Sequence, residues 1–133
     1  MIEQKAGALK AEALESELDK AKGFTFRIFS AKMPDTIPEK QYTKWFDYDK
    51  IEGTLKIRTW REGDFFMVQK GQHKKTIQRY FIDEKIPKDK RNERLLLADG
   101  SHILWVVGKR ISDYYKVTDK TTTIIEIQYD GGV

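Results

Sequence analysis

A β-hairpin centred on Asp99-Gly100-Ser101 is the feature that most constrains the fold of this chain. The turn lies between two apolar stretches, residues 95–98 and 103–107. Asp-Gly tolerates the positive φ values that a tight turn demands, so the pattern predicts two paired strands. Because both stretches are apolar, we expect the hairpin to lie in the core, and Trp105 with it.

Four other stretches have the composition of strands. They are residues 24–28, 42–48, 55–59 and 121–129. The first and third alternate apolar with polar side chains, the second is aromatic, and the last is rich in β-branched residues. Thr76 is placed to cap a short helix that runs to Lys85 and is stopped by Ile86-Pro87. The sequence therefore predicts an α+β domain that is β-rich and mixed, with two short central helices.

Residues 1–22 are rich in Ala, Glu, Lys and Leu, with apolar side chains near a 3.6-residue period. This pattern predicts an amphipathic helix that ends at Gly23. The organisation is then a helix or interdomain linker at 1–23 and a folded domain at 24–130. The helix could pair with a partner or with itself, could join a preceding domain, or could simply pack. A protein-interaction or dimerisation domain is therefore the alternative function.

Residues suited to catalysis are not arranged as a site. The chain has no cysteine, its nine glycines are scattered, and His73 and His102 lie far apart. No phosphate loop, nucleophile arrangement or zinc spacing is present, so we expect no catalytic, cofactor-binding or metal site. His102 is interpreted as an ordinary exposed strand residue. No stretch is apolar enough for a membrane span or an export signal, which predicts a cytoplasmic protein without membrane contact.

Basic residues are concentrated in the centre of the chain. The formal net charge is +4, but residues 56–116 hold fifteen basic and eight acidic side chains. Such a density suits a polyanion partner, and a solvated charged surface is the alternative. Lys74 and Lys75 are interpreted as a loop before the Thr76 helix, where a phosphate could meet the free N–H groups of the helix start and Arg79. A flexible charged loop without a ligand explains the same pattern.

Three segments carry a distinctive pattern. They are residues 55–64 (Leu-Lys-Ile-Arg-Thr-Trp-Arg-Glu-Gly-Asp), 74–87 (ending Phe-Ile-Asp-Glu-Lys-Ile-Pro) and 103–112 (containing Trp-Val-Val-Gly-Lys-Arg-Ile). Together these segments closely resemble the C-terminal domain of bacterial tRNA(Ile)-lysidine synthetase. They occur in the family's order and spacing, and the resemblance covers residues 55–129 most specifically.

The resemblance implies an ATP-dependent ligase that joins lysine to the wobble cytidine of tRNA(Ile). The family's adenylation loop, Ser-Gly-Gly-x-Asp-Ser, is absent from these 133 residues. This part should therefore bind no ATP and be inactive alone, with the N-terminal catalytic domain of the same chain as a partner. It should help to select tRNA(Ile), through the acceptor stem. Its fold should be similar to a domain of the phenylalanyl-tRNA synthetase β subunit.

Carried over from the family pattern, eight cations are expected to contact the tRNA backbone. They are Arg61, Lys74, Lys75, Arg79, Lys85, Lys88, Arg91 and Arg110. Other positions of the pattern suggest structural roles: Asp64 closing the Gly63 turn, Asp83 pairing with Arg110, and Gly108 permitting a sharp bend. Trp45 and Trp60 could stack on a nucleotide, but packing is the favoured interpretation. The oligomeric state is left open.

Overall fold

The structure is a computed structural model that describes residues 23–31 and 37–131. It contains two β-sheets and two short α-helices. The strands are β1 Phe24–Ser30, β2 Thr43–Asp47, β3 Leu55–Arg58, β4 Phe65–Val68, β5 His73–Thr76, β6 Leu96–Asp99, β7 His102–Val106 and β8 Thr123–Tyr129. The helices are α1 Ile77–Asp83 and α2 Lys88–Arg91, and 3-10 turns occupy Tyr48–Lys50 and Asp113–Tyr115. The amphipathic helix predicted for residues 1–22 lies outside the described residues.

The smaller sheet has three strands in the order β1-β8-β2, all antiparallel. The larger sheet has five strands in the order β3-β6-β7-β4-β5. Its pairs are antiparallel except β4 with β7, which run parallel and meet at Phe65 and His102. The β6–β7 hairpin thus lies at the centre of the larger sheet, as the Asp99-Gly100-Ser101 turn predicted.

The larger sheet is the middle layer of the domain because both of its faces are buried. Leu97 belongs to the core cluster that contains Phe46 and Ile125 of the smaller sheet, whereas its neighbour Leu96 belongs to the cluster that contains the buried residues of α1. A register shift between β6 and β7 interrupts the alternation. As a result, the adjacent residues Leu104 and Trp105 both enter the core between the sheets. Trp105 is fully buried, as predicted.

Helix α1 is fixed at both ends by local hydrogen bonds. The Thr76 hydroxyl accepts from the Arg79 N–H at 3.1 Å, the capping bond predicted from the sequence. At the other end the Ile86 N–H donates to the Phe81 carbonyl, and Lys85 adopts a φ of 57°. This left-handed turn ends the helix before Pro87.

The region before α1 differs from its prediction. Lys74 and Lys75, interpreted as part of a loop, lie in the edge strand β5, which pairs with β4. Two of the N–H groups at the helix entrance are also engaged, since Ile77 donates to the Asp64 carbonyl and Arg79 to the Thr76 hydroxyl. These two groups are therefore not free for the phosphate that the sequence suggested at this helix start. The β-rich α+β class with two short central helices is confirmed.

Candidate nucleic-acid interface

An aromatic cluster lies beneath α1 and organises the surrounding cations. Phe66 of β4 and Tyr80 of α1 meet edge to face with ring centroids 5.3 Å apart. Phe81 follows at 6.1 Å from Tyr80. All three side chains are buried or nearly so, which gives the surrounding surface a rigid support.

Three predicted contact residues approach this cluster from different elements. Lys75 Nζ of β5 lies 6.0 Å from the Tyr80 ring, and Arg91 Cζ of α2 lies 6.0 Å from the Phe81 ring. Arg110 Cζ, from the segment after β7, lies 5.9 Å from the Phe66 ring. The fold therefore brings together cations separated by up to 35 positions in the sequence. Long cationic side chains commonly lie over rings in this way.

Asp83 connects two of the predicted cations. Its carboxylate lies 2.7 Å from Lys75 Nζ and 3.0 Å from Arg79 Nε. The hydrogen bond from Lys75, together with the charge of Arg79, holds the pKa of the Asp83 carboxyl below its usual value. The predicted pair of Asp83 with Arg110 was wrong, because β5 places Lys75 against α1 and so occupies Asp83.

Arg110 pairs instead with Asp113, at 3.7 Å. Asp113 also lies 2.9 Å from Lys116 Nζ and accepts a hydrogen bond from the Lys70 N–H. Burial acts to raise the pKa of the Asp113 carboxyl, but these contacts outweigh it and hold the pKa below its usual value. Each of the carboxylates of Asp83 and Asp113 is therefore shared by two cationic side chains, which leaves each group of three with a net positive charge.

The other predicted contact residues are distributed more widely. Lys74 lies on the opposite face of β5 from Lys75, with its Nζ 4.2 Å from the centre of the Phe65 ring. Arg61 is exposed beside a separate groove of about 540 Å³, which Lys56 and Asp99 also line. Lys85 and Lys88 are exposed on the segment that joins α1 to α2 and at the start of α2.

Arg94 lies near this surface and was not identified as a contact from the sequence. Burial and the charge of Glu84 raise the pKa of Tyr80, while the charges of Arg110 and Arg94 act in the opposite direction. Arg94 is therefore close to the same cluster, although it lies after α2. No local motif marks Arg94, because only the tertiary fold brings it to Tyr80.

The structural roles proposed for the family pattern are mostly confirmed. Asp64 accepts the Arg61 N–H at 2.7 Å and so closes the turn that contains Gly63. Gly108 adopts a φ of 79° directly after β7. Trp60 packs edge to face on Phe81, and Trp45 donates to Glu126 at 2.8 Å. Both tryptophans are thus used in packing.

His102 departs from its interpretation as an exposed strand residue. Its ring is partly buried between Phe65 and Tyr114, and its Nε2 lies 2.8 Å from the hydroxyl oxygen of Ser112. Burial lowers the pKa of His102 to about 4. The Ser112 side chain is fully buried and accepts the Met67 N–H, so this pair is part of the packed interior.

The fold and this surface define a β-rich α+β domain with a cationic face around one short helix. The chain belongs to the family described as the TilS substrate C-terminal domain, whose profile matches residues 55–128. This membership confirms the resemblance found in the three sequence segments.

Relatives among characterised proteins are tRNA(Ile)-lysidine synthases. The one from Caldanaerobacter subterraneus subsp. tengcongensis is 39% identical over 106 residues, covering 80% of this chain and 23% of the relative. The one from Clostridium tetani is 39% identical over 97 residues, covering 73% and 21% respectively. The chain thus spans about a quarter of the length of the relatives it matches.

A crystal structure of a TilS C-terminal domain has the same fold, with a TM-score of 0.62 at 23% identity. The alignment covers 82% of this chain and 85% of that one. Within residues 23–31 and 37–131, no helix is long and apolar enough to cross a membrane. The same residues contain no group of three or more His, Asp or Glu side chains that could hold a metal ion.

Proposed function

We propose that this chain is the tRNA-selecting C-terminal part of a tRNA(Ile)-lysidine synthase and that it binds the acceptor stem of tRNA(Ile). The observation that carries the proposal is the convergence of Lys75, Arg91 and Arg110 on the aromatic cluster beneath α1. Membership of the family and the names of the relatives supply the class of substrate.

A paired RNA stem suits a surface of this kind. The deep and narrow major groove of A-form RNA hides the base edges, so proteins contact its phosphates and 2′-hydroxyls and recognise its shape. Lys and Arg from three elements on a rigid support can meet successive phosphates of one strand. Arg79 and Arg94 extend the same surface along α1 and beyond α2.

The carboxylates within the surface do not prevent phosphate binding. Asp83 is shared by Lys75 and Arg79, and Asp113 by Arg110 and Lys116. The exposed partners Arg79 and Arg110 can turn to a phosphate at small cost, because exposed ion pairs are worth only about 0–1 kcal/mol each and a second cation stays on each carboxylate. The carboxylates then hold the remaining cations in position.

The remaining predicted contacts belong to the same proposal. Lys85 and Lys88 continue the cationic surface toward α2. Lys74 and Arg61 lie outside that surface and would contact only RNA that extends past the part of the stem bound at α1. The proposal assigns ATP use and the joining of lysine to a catalytic domain elsewhere in the polypeptide, with a cytoplasmic location. This domain would then act by positioning tRNA and would hold no cofactor of its own.

Titration of the protein with an isoleucine tRNA acceptor minihelix at several salt concentrations tests the proposal. Affinity should fall as salt rises, with a log-log slope of roughly 0.7–0.9 for each phosphate contacted. The double variant Lys75→Gln/Arg110→Gln should weaken binding and reduce that slope by about two. The matched control is Lys40→Gln/Lys120→Gln, which removes two exposed cations on the loops beside the smaller sheet and should change little. Equal effects from the two double variants would disprove the proposed surface.

A further inference from the structure

A row of three aromatic rings lies on the opposite side of β5 from the α1 surface. The Phe65 and His102 rings lie 4.7 Å apart at 31°, and the His102 and Tyr114 rings lie 5.3 Å apart at 34°. Tyr114 stands at one end of this row and is 39% exposed. Large exposed aromatic side chains are uncommon in this domain, and Tyr114 is supported by neighbours that hold its ring in place.

A lysine stands at each end of the row. Lys74 Nζ lies 4.2 Å from the centre of the Phe65 ring. Lys50 Nζ lies 5.1 Å from the centre of the Tyr114 ring and donates to the Tyr114 carbonyl at 3.1 Å. Lys50 belongs to the 3-10 turn after β2, and Lys74 to β5. Two distant segments therefore supply positive charge to one aromatic surface.

The row is rigid because a hydrogen bond to a buried residue holds the His102 ring in place. Its Nε2 lies 2.8 Å from the Ser112 hydroxyl, which itself accepts the Met67 N–H and is fully buried. Tyr115 packs edge to face against Tyr114 with centroids 5.0 Å apart, and donates to Asp99. A pre-formed ring at the surface binds a flat ligand without an ordering cost.

We propose that Tyr114, with Lys50 and Lys74, forms a stacking site for unpaired nucleotides that continue from the RNA stem bound at α1. Aromatic faces accept any nucleobase, and Lys50, which lies over the Tyr114 ring, moves from that ring to the phosphate of the nucleotide that stacks there. This combination of charge and flat apolar surface fits single-stranded RNA better than it fits an acidic peptide, which offers no planar group to the ring.

The location of the row supports this choice of ligand. Lys74 and Lys75 are neighbours on edge strand β5 and face opposite sides of the sheet. Tyr114 is also close to the α1 surface, because the preceding residue, Asp113, forms an ion pair with Arg110 of that surface. A strand leaving a stem at Lys75 and Arg110 can therefore turn around the edge of the sheet and reach the row. The inference rests on the proposed stem contact and extends it.

Binding of two RNA hairpins of identical stem tests the site. One hairpin ends bluntly, and the other carries four unpaired nucleotides at its 3′ end. The protein should bind the tailed hairpin roughly tenfold more tightly, the range expected for one base stacked on an aromatic ring. Tyr114→Ala should remove this advantage and leave the affinity for the blunt hairpin unchanged. Tyr114→Phe keeps the ring and should retain the advantage, whereas Tyr42→Ala removes an exposed tyrosine elsewhere and should not affect it.

The outcomes separate this inference from the proposed function. Equal binding of both hairpins by the unchanged protein, with the normal salt dependence, would reject the stacking site and leave the stem contact standing. An advantage for the tail that survives in Tyr114→Ala would place the unpaired strand elsewhere and equally reject the site. Absence of binding to either hairpin would reject both proposals. A circular dichroism spectrum and an unfolding midpoint for Tyr114→Ala confirm that it is folded.

Discussion

The guanidinium of Arg58 and the carboxylate of Asp64 form a buried two-point ion pair, with N–O distances of 2.7 and 2.9 Å. Their side chains are only 5% and 2% exposed. Arg58 also donates to the carbonyls of Thr59 and Gly100. The pair therefore joins the end of β3 to the turn of the central hairpin, and the Asp64 carbonyl accepts the first N–H of α1.

Arg58→Met should be strongly destabilising. Removing one partner of a buried ion pair leaves the other charge uncompensated and typically costs about 3–5 kcal/mol. The free energy of unfolding from urea titration measures this loss. Arg27→Met is the matched control, since Arg27 is 63% exposed and pairs with Glu126 at 3.2 Å, and it should cost less than about 1 kcal/mol. Similar losses for the two variants would contradict the structural role of the Arg58–Asp64 pair.

The elements that sequence predicted correctly are those determined by local chemistry. The Asp99-Gly100 turn needs positive φ, and Thr76 caps the helix with its own hydroxyl, so each is recognisable within a few residues. Strands β4 and β5 were not predicted because pairing between separate segments, not local sequence, determines them. Lys74 and Lys75 are stabilised in a strand by pairing with Met67 and Phe66, and a basic sequence alone does not favour that conformation.

The candidate site was predicted in part, and tertiary structure explains the difference. The family pattern gave the cations but not their grouping, because Lys75, Arg91 and Arg110 meet only through the aromatic cluster. No sequence motif marks Tyr114, because its suitability for stacking a base depends on the His102 ring packed against it in the folded protein. Ion-pair partners could not be predicted for the same reason. Asp83 pairs with Lys75 because strand β5 places Lys75 beside α1.

Gly108→Ala should destabilise the domain by two separable effects. Gly108 has a φ of 79°, which disfavours any side chain, and an added Cβ would lie 2.8 Å from Cε1 of Tyr42. The backbone effect costs on the order of 1–3 kcal/mol, and the contact adds a smaller cost because the exposed Tyr42 ring must turn away. Gly71→Ala is the control for φ alone, since Gly71 has a φ of 83° with nothing within 4 Å of an added Cβ.

We expect Gly108→Ala to lose more stability than Gly71→Ala, with the excess shrinking in the double variant Gly108→Ala/Tyr42→Ala. Thermal and urea unfolding of five proteins measures the comparison: the unchanged protein, Gly108→Ala, Gly71→Ala, Tyr42→Ala and the double variant. An excess of the same size in the presence and absence of the Tyr42 ring would rule out the close approach as its cause.

Stability should fall as pH decreases from about 6.5 to about 4 because of His102. Burial, assisted by the charge of Lys74 and opposed by Asp99, lowers the pKa of His102 to about 4. In this window the unfolded chain binds a proton that the folded protein does not, so protonation favours unfolding. The expected loss is about 1–3 kcal/mol between pH 7.5 and pH 4.5, from urea midpoints at several pH values. In His102→Gln the free energy of unfolding should change less with pH over this range. If the substitution leaves the pH dependence unchanged, a group other than His102 causes it.

Ser112→Ala should be more destabilising than the loss of one surface hydroxyl. The Ser112 oxygen accepts the Met67 N–H at 3.0 Å and lies 2.8 Å from His102 Nε2, so its removal leaves buried groups without a partner. Each such group costs about 1–3 kcal/mol. Thr122→Ala is the matched control, because the Thr122 hydroxyl is exposed and donates to Asp49, and its loss should stay within about 0.5 kcal/mol. Urea unfolding compares the two. Ser112 also holds the His102 ring beneath Tyr114. Ser112→Ala should therefore also weaken binding of the tailed RNA hairpin. If the variant lost stability but bound that hairpin normally, the aromatic row would keep its shape without Ser112.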